Sequence, residues 1–303
     1  MNAHTIVTIT PTHVIAQEIE LKAATKVISQ KEVEWKKGEL AQAIGAVIEA
    51  IPKTQKIRII LTESLYYLVG FSVEKKFATE REYIRRKASE FLVEDLASVR
   101  WDYVVAKSDD NLADIQVVCL TQDIDIEFSQ LSENLDIYIE AVVPDPLILL
   151  ESIKERDATF ILIYADTFIR SISVIKDGLV LFSTGFENSK VLGKFLETVR
   201  YVENHLQLTT NIVVECGLAE NELLELKKEY KVVSAQIDPA ILFAELRHFN
   251  GADEKVLSIE VNQGTVLGGL EEIKKNQKAF LGIIFFVALA GIIFGIVVAG
   301  NLF

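Results

Sequence analysis

Two cysteines, four histidines and a scatter of charged groups are the side chains able to carry chemistry in this chain, and their spacing limits what that chemistry is. Cys216 precedes Gly217 as a nucleophile at a turn would, yet no activating base is implied by the spacing. Cys119 and Cys216 each lie in an apolar, strand-like run, DIQVVCL and NIVVEC, and are expected to be small buried hydrophobes in a reducing compartment. Their separation suits neither a metal cluster nor a redox pair. His4, His13, His205 and His248 are dispersed; Asp166 and His13 are a pair that two facing lobes would bring together, though both read as ordinary turn residues. Between Gln122 and Glu127 the acids Asp123, Asp125 and Glu127 alternate with Ile124 and Ile126, a superficial likeness to a calcium loop without its glycine or distal glutamate. That stretch is expected to be a solvated edge, and neither a catalytic constellation nor a metal site is expected. Arg81, Arg85, Arg86 and Lys87 cluster on a helical stretch, where Glu82 and Glu90 are spaced to pair with Arg86 on a solvated face.

The elements that must position these groups follow from hydrophobic periodicity. Apolar alternation at 4–9, 14–19 and 27–33 predicts three strands, the stripe Leu40, Ile44, Val47, Ile48 and Ile51 predicts a helix over 39–51 after Gly38, and 57–61 is a further strand. The same order returns about 155 residues later: strands at 160–164, 169–175 and 179–182, with turns at Asp166 and Lys176-Asp177-Gly178. A helix over 189–205 follows, with Asn188 as N-cap and Val191, Leu192, Phe195, Leu196, Val199 and Val202 inward; strand 212–216 and helix 220–230 complete the unit. Two copies of one pattern predict a duplicated α/β fold. The segment between them carries a helix over 79–92 opened by a Thr79/Glu82 capping box, strands at 101–106, 113–120 and 137–143, a helical stretch around Phe128, and a helix begun by Asp145-Pro146. The expected plan is a first lobe from 1–62, an inserted α+β subdomain at 63–157, and a second lobe at 158–261.

After a linker and basic collar at 262–278, residues 279–299 read AFLGIIFFVALAGIIFGIVVA, without charge or proline. As a helix rising about 1.5 Å per residue this run reaches roughly 30 Å, the thickness of a hydrocarbon core, and is expected to span a membrane. Lys274, Lys275 and Lys278 precede it, so the positive-inside bias puts the N-terminal body in the cytoplasm and the C-terminus outside, as a single-pass protein of the plasma (inner) membrane. The opening MNAHTIVTITPTH alternates like a strand and does not read as an export signal. Gly291 and Gly295, with Ala299 one turn on, form a small-residue stripe suited to packing a second membrane helix, a route to a homodimer. The formal charge of -13 argues against nucleic acid or anionic lipid as the main partner and favours protein.

Two βββαβα halves with an insertion in the first match the plan of the actin-like, ribonuclease H-like fold. The stretches KIRIILTESLYYLVGFSV, KASEFLVEDLASVRWDYVVA, LDIYIEAVVPDPLILLESI and ATFILIYADTFIRSISVIKDGLVLFSTGF resemble the PilM and GspL cytoplasmic-domain family of type IV pilus and type II secretion inner-membrane platforms. PilM is soluble and binds a membrane partner, PilN; GspL fuses a similar domain to a membrane helix and a periplasmic domain. This chain looks like an intermediate, a cytoplasmic body joined to a helix with essentially no outer domain.

The resemblance also implies where a nucleotide would sit, since actin-like ATPases grip phosphates with the backbone N–H groups of two glycine-containing hairpin turns. In the first hairpin the positions matching the family's Asp and Gly are Thr8 and Thr10, followed by Pro11; in the second they are Tyr164 and Asp166. Threonine resists left-handed backbone, proline removes a donor, and an aspartate would repel a phosphate. On the adenosine side Gly217 stands alone where a glycine cluster is usual. The expectation is a degenerate cleft without a cofactor, weak ATP binding being the alternative. The implied function is a scaffold that binds platform proteins and the assembly ATPase, with a partner's extended segment held between the lobes. The competing reading is an actin-fold ATPase, similar to the cell-division protein FtsA, tethered by its terminal helix.

Overall fold

The computed structural model describes residues 3–21, 25–51, 56–134, 137–153, 158–167, 170–186, 191–246 and 259. The chain begins with an antiparallel meander, β1 (Ala3–Ile9), β2 (His13–Glu20) and β3 (Lys26–Glu34), crosses through α1 (Leu40–Glu49) and returns as β4 (Lys56–Leu61), parallel to β1. Central position explains composition here. Ile6, Val7 and Ile9 of β1 and Ile59, Ile60 and Leu61 of β4 are fully enclosed, as expected of strands covered on both faces. β3 lies on the outside of the sheet and is largely exposed.

α1 buries Leu40, Ala43, Ile44, Val47 and Ile48 as one stripe, but its first turn has no side-chain cap of its own. The carboxylate of Glu127 fills that role from a distant element, accepting from the backbone N–H groups of Gly38 and Leu40. A negative group at a helix N-terminus satisfies orphan donors and complements the dipole. Gly38, at φ +89°, supplies the left-handed turn that leads into the helix.

The chain then builds a three-stranded antiparallel sheet from β5 (Tyr66–Glu74), β6 (Trp101–Ser108) and β7 (Leu112–Leu120), with β7 central, and α2 (Arg81–Ala88) beside it. α2 starts later than the Thr79 box predicts: Glu80 is the N-cap residue and makes no side-chain cap. Its ion pairs also shift by one position. Glu82 pairs with Arg85 and Glu90 with Lys87, while Arg86 lies over the Tyr83 ring. The acidic stretch after β7 is a second correction, because it is the start of α3 (Gln122–Asn134) and not a solvated edge. Helical geometry turns Asp125 and Glu127 inward, 4% and 3% exposed; Asp125 accepts from the Arg100 side chain at 2.7 Å while Glu127 caps α1.

β8 (Tyr138–Pro144) and α4 (Asp145–Leu150), grouped by sequence with the intervening segment, rejoin the first lobe: β8 pairs parallel with β4, giving the order β3-β2-β1-β4-β8. The second lobe repeats this plan. β9 (Phe160–Ala165), β10 (Arg170–Lys176) and β11 (Leu179–Gly185) form its meander, with the β10–β11 turn made by Asp177 (φ 52°) and Gly178 (φ 81°). α5 (Val191–His205), β12 (Ile212–Cys216), α6 (Glu220–Leu226) and β13 (Lys231–Ser234) follow, and the order β11-β10-β9-β12-β13 reproduces the first sheet strand for strand. The predicted helix at 220–230 ends early, at Leu226.

The last described helix, α7 (Pro239–Glu245), leaves the second sheet and packs against β1, β2, β4 and α4 of the first lobe. Asp238 caps it, accepting from the N–H groups of Ala240 (2.9 Å) and Ile241 (3.2 Å), and Pro239 occupies the tolerated first position. At its other end the Arg58 guanidinium donates to the carbonyls of Phe243 (2.6 Å) and Leu246 (2.7 Å) and pairs with Glu140 at 2.8 Å. Ile259 donates its N–H to the Val142 carbonyl on β8. The Asn188 cap, His248, the linker and collar at 262–278 and the apolar run at 279–299 lie outside the described residues.

Candidate functional site

The first hairpin of each lobe, together with the approach to α7, encloses a cleft of about 300 Å³. Thr8, Ile15, Gln17 and Gln30 line it from the first sheet; Tyr164, Asp166 and Thr167 come from the second; the stretch from Ile237 to Ala240 closes it. Of the five residues expected there, the fold therefore brings together Thr8, Tyr164 and Asp166.

Thr10 is not a lining residue. It is 2% exposed, and its hydroxyl knots the turn, accepting from the N–H groups of His13 at 2.9 Å and Thr12 at 3.3 Å. The Thr10 N–H itself donates to the His13 carbonyl at 2.9 Å, and Pro11 has no N–H to offer. Trp35 completes the closure by donating its indole N–H to the Thr10 carbonyl at 2.8 Å. Every backbone donor of this turn from Thr10 to His13 is thus already used within it.

Gly217 serves backbone packing instead. Its φ is +87°, and a Cβ there would lie 2.0 Å from the Ala165 carbonyl oxygen, so the end of β12 passes β9 at a distance that only glycine permits. His13 is not among the lining residues; it hydrogen-bonds Thr12 and sits 3.5 Å from Glu32 and 3.8 Å from Glu34. Within the cleft the Tyr164 hydroxyl donates to Asp166 at 2.9 Å, and burial, reinforced by the neighbouring Asp166 charge, pushes the phenol well above its ordinary range. Burial likewise pushes the thiols of Cys119 and Cys216 up to about 12, so both are inert hydrophobes at neutral pH.

Beside the cleft lies a buried carboxyl pair that the sequence did not single out. Asp145, 0% exposed at the start of α4, accepts from the Tyr66 hydroxyl at 2.8 Å and from Ser171 of β10 at 3.0 Å. Burial and the charge of Glu63 raise it to about 7, against the hydrogen bonds from Tyr66 and Ser171; burial raises Glu63 to about 7 as well. The cluster ties the first lobe, the three-stranded sheet and the second lobe together. Gln17, Gln30 and Asp238 also line the cleft, and no motif marks the two glutamines in the sequence. Asp238-Pro239 carries a legible signal, an N-cap followed by proline, but the apolar run behind it is too short for periodicity to identify.

Neither a family model nor a curated protein matches the sequence. Solved structures do match the fold. The PilM-PilN type IV pilus biogenesis complex aligns with a TM-score of 0.57 at 12% identity, over 78% of this chain and 88% of that one. The cytoplasmic domain of EpsL, an inner-membrane component of the type II secretion system of Vibrio cholerae, aligns at 0.52 and 13%, over 80% and 93%. A Bacteroides thetaiotaomicron protein with an actin-like ATPase fold aligns at 0.54 and 11%, over 81% and 96%. Paired sheets of matching strand order around one cleft and these structural neighbours lead to the same result: the chain carries the actin-like ATPase fold.

Proposed function

We propose that this protein is a membrane-anchored, actin-fold scaffold of a type IV pilus or type II secretion assembly platform, whose interlobe cleft no longer binds and hydrolyses a nucleotide. The observation that carries this reading is the closed first hairpin, because a turn whose donors already serve Thr10 Oγ1 and the His13 carbonyl has none left for a phosphate. The absence of any basic residue among the described residues lining the cleft supports it, as do the two aspartates there. On this reading Thr8, Thr10, Tyr164, Asp166 and Gly217 mark a degenerate nucleotide cleft, without metal or cofactor.

The PilN bound in the solved PilM complex supports a partner from the inner-membrane platform, with the assembly ATPase a further candidate. Among the described residues no helix is long and apolar enough to cross a membrane. The proposed anchor is the 279–299 segment behind Lys274, Lys275 and Lys278, with the body on the cytoplasmic face. Equilibrium dialysis of the full-length chain in a non-ionic detergent against ATP and Mg²⁺ tests the central claim. No saturable uptake is expected; binding at micromolar concentration overturns the scaffold reading.

A further inference from the structure

Resting on that scaffold reading, we propose that the cleft receives a cationic side chain, the arginine or lysine of an extended segment on a protein partner, where a nucleotide phosphate would otherwise lie. Asp166 and Asp238 face the cavity with the amides of Gln17 and Gln30 and the hydroxyls of Thr8, Tyr164 and Thr167, and no lysine, arginine or histidine is among the described residues that line it. A concave site with one sign of charge focuses its field on the opposite charge. Three of these groups have capacity that the fold leaves unused. Thr8 is 5% exposed and lines the cleft, and its hydroxyl makes no hydrogen bond among the described residues. Asp238 uses Oδ1 to cap α7, which fixes the carboxylate while Oδ2 takes no hydrogen bond among the described residues. Gln17 donates its amide N–H to Gln30 at 3.2 Å, so its own carbonyl oxygen is left to accept.

An oxygen-rich set of acceptors on three elements matches the fan of N–H donors on a guanidinium or ammonium group. It mismatches a phosphate, which would meet carboxylate oxygens of its own sign. Size agrees, since about 300 Å³ is at the bottom of the roughly 300–1,000 Å³ range of ligand pockets and suits one extended side chain better than a nucleoside triphosphate.

The probe is a capped Ala-Arg-Ala tripeptide, with its citrulline counterpart as the uncharged isostere, titrated calorimetrically into the full-length chain in non-ionic detergent. Saturable binding of the arginine peptide is expected, weaker by about tenfold or more for citrulline, as befits loss of a charge-assisted hydrogen bond. Asp238→Asn should weaken the arginine peptide similarly while leaving the melting temperature near that of the parent, because asparagine caps a helix as well as aspartate does. Asp166→Asn is the second variant, expected to act in the same direction. Equal binding of the two peptides, or no binding of the arginine peptide at millimolar concentration, overturns the inference and leaves the scaffold reading in place. Displacement of the arginine peptide by micromolar Mg²⁺-ATP overturns both.

Discussion

At Asp145 the fold accepts a carboxyl group with no exposure to water, and the consequence is a dependence on pH. A carboxyl whose folded-state value is raised from 3.8 to about 7 holds its proton more tightly in the folded chain than in the unfolded one. Its stabilising contribution is therefore complete below about pH 4 and lost as pH rises through about 7. Glu63 acts in the same direction. Glu140 opposes them: burial raises it, but the Arg58 and Lys56 contacts more than offset that and hold it below the ordinary value, so its contribution is lost on acidification. Urea unfolding should accordingly show lower stability at about pH 8 than at about pH 5, with a difference on the order of 1–3 kcal/mol. Asp145→Asn should flatten that difference, since an amide still satisfies Tyr66 and Ser171 without titrating. An undiminished slope in the variant would remove Asp145 as its source. None of this is visible in sequence, where Asp145-Pro146 announces a helix start and nothing about burial.

α7 is the element that carries the chain from the second sheet back onto the first lobe. It starts at the cleft, where Asp238 caps it, and ends on the buried Arg58, 4% exposed, which takes up its last carbonyls and Glu140. A cation at a helix C-terminus is favourable, and one buried beside a carboxylate becomes costly to remove because its partners are left uncompensated. Arg58→Met should destabilise the chain by about 3 kcal/mol in urea unfolding, and the pair Arg58→Met with Glu140→Gln should recover part of that loss. Protease cleavage near α7 should rise in the single variant. A loss below about 0.5 kcal/mol would mean that α7 is held by its apolar face alone. The sequence shows Arg58 only as a charge interrupting the apolar run KIRIIL; its partners are far along the chain.

At the scale of the whole molecule, the repeated strand order gives two sheets with a cleft between them, and the proposed anchor would hold this acidic body at a membrane surface. The small-residue stripe of Gly291, Gly295 and Ala299 belongs to that proposal. Replacing Gly291 and Gly295 by isoleucine should weaken self-association in a bacterial membrane two-hybrid assay, because β-branched side chains prevent the close approach that small residues allow. An unchanged signal would exclude homodimerisation through that face.

What the sequence by itself determined is what depends on short-range pattern. Alternation and helical stripes located most strands and helices of both lobes, though not β13 or α7, and their repetition announced the duplicated plan, because residues facing one core must recur at the period of their own element. Tertiary structure alone decided the rest. It placed β8 beside β4, turned Glu127 from a surface acid into the cap of α1, carried α7 back across the first sheet, and left Thr10 to consume the donors of its own turn. Each of these is a contact between residues whose separation along the chain bears no relation to their separation in space, or a hydrogen bond set by local geometry that residue type does not specify.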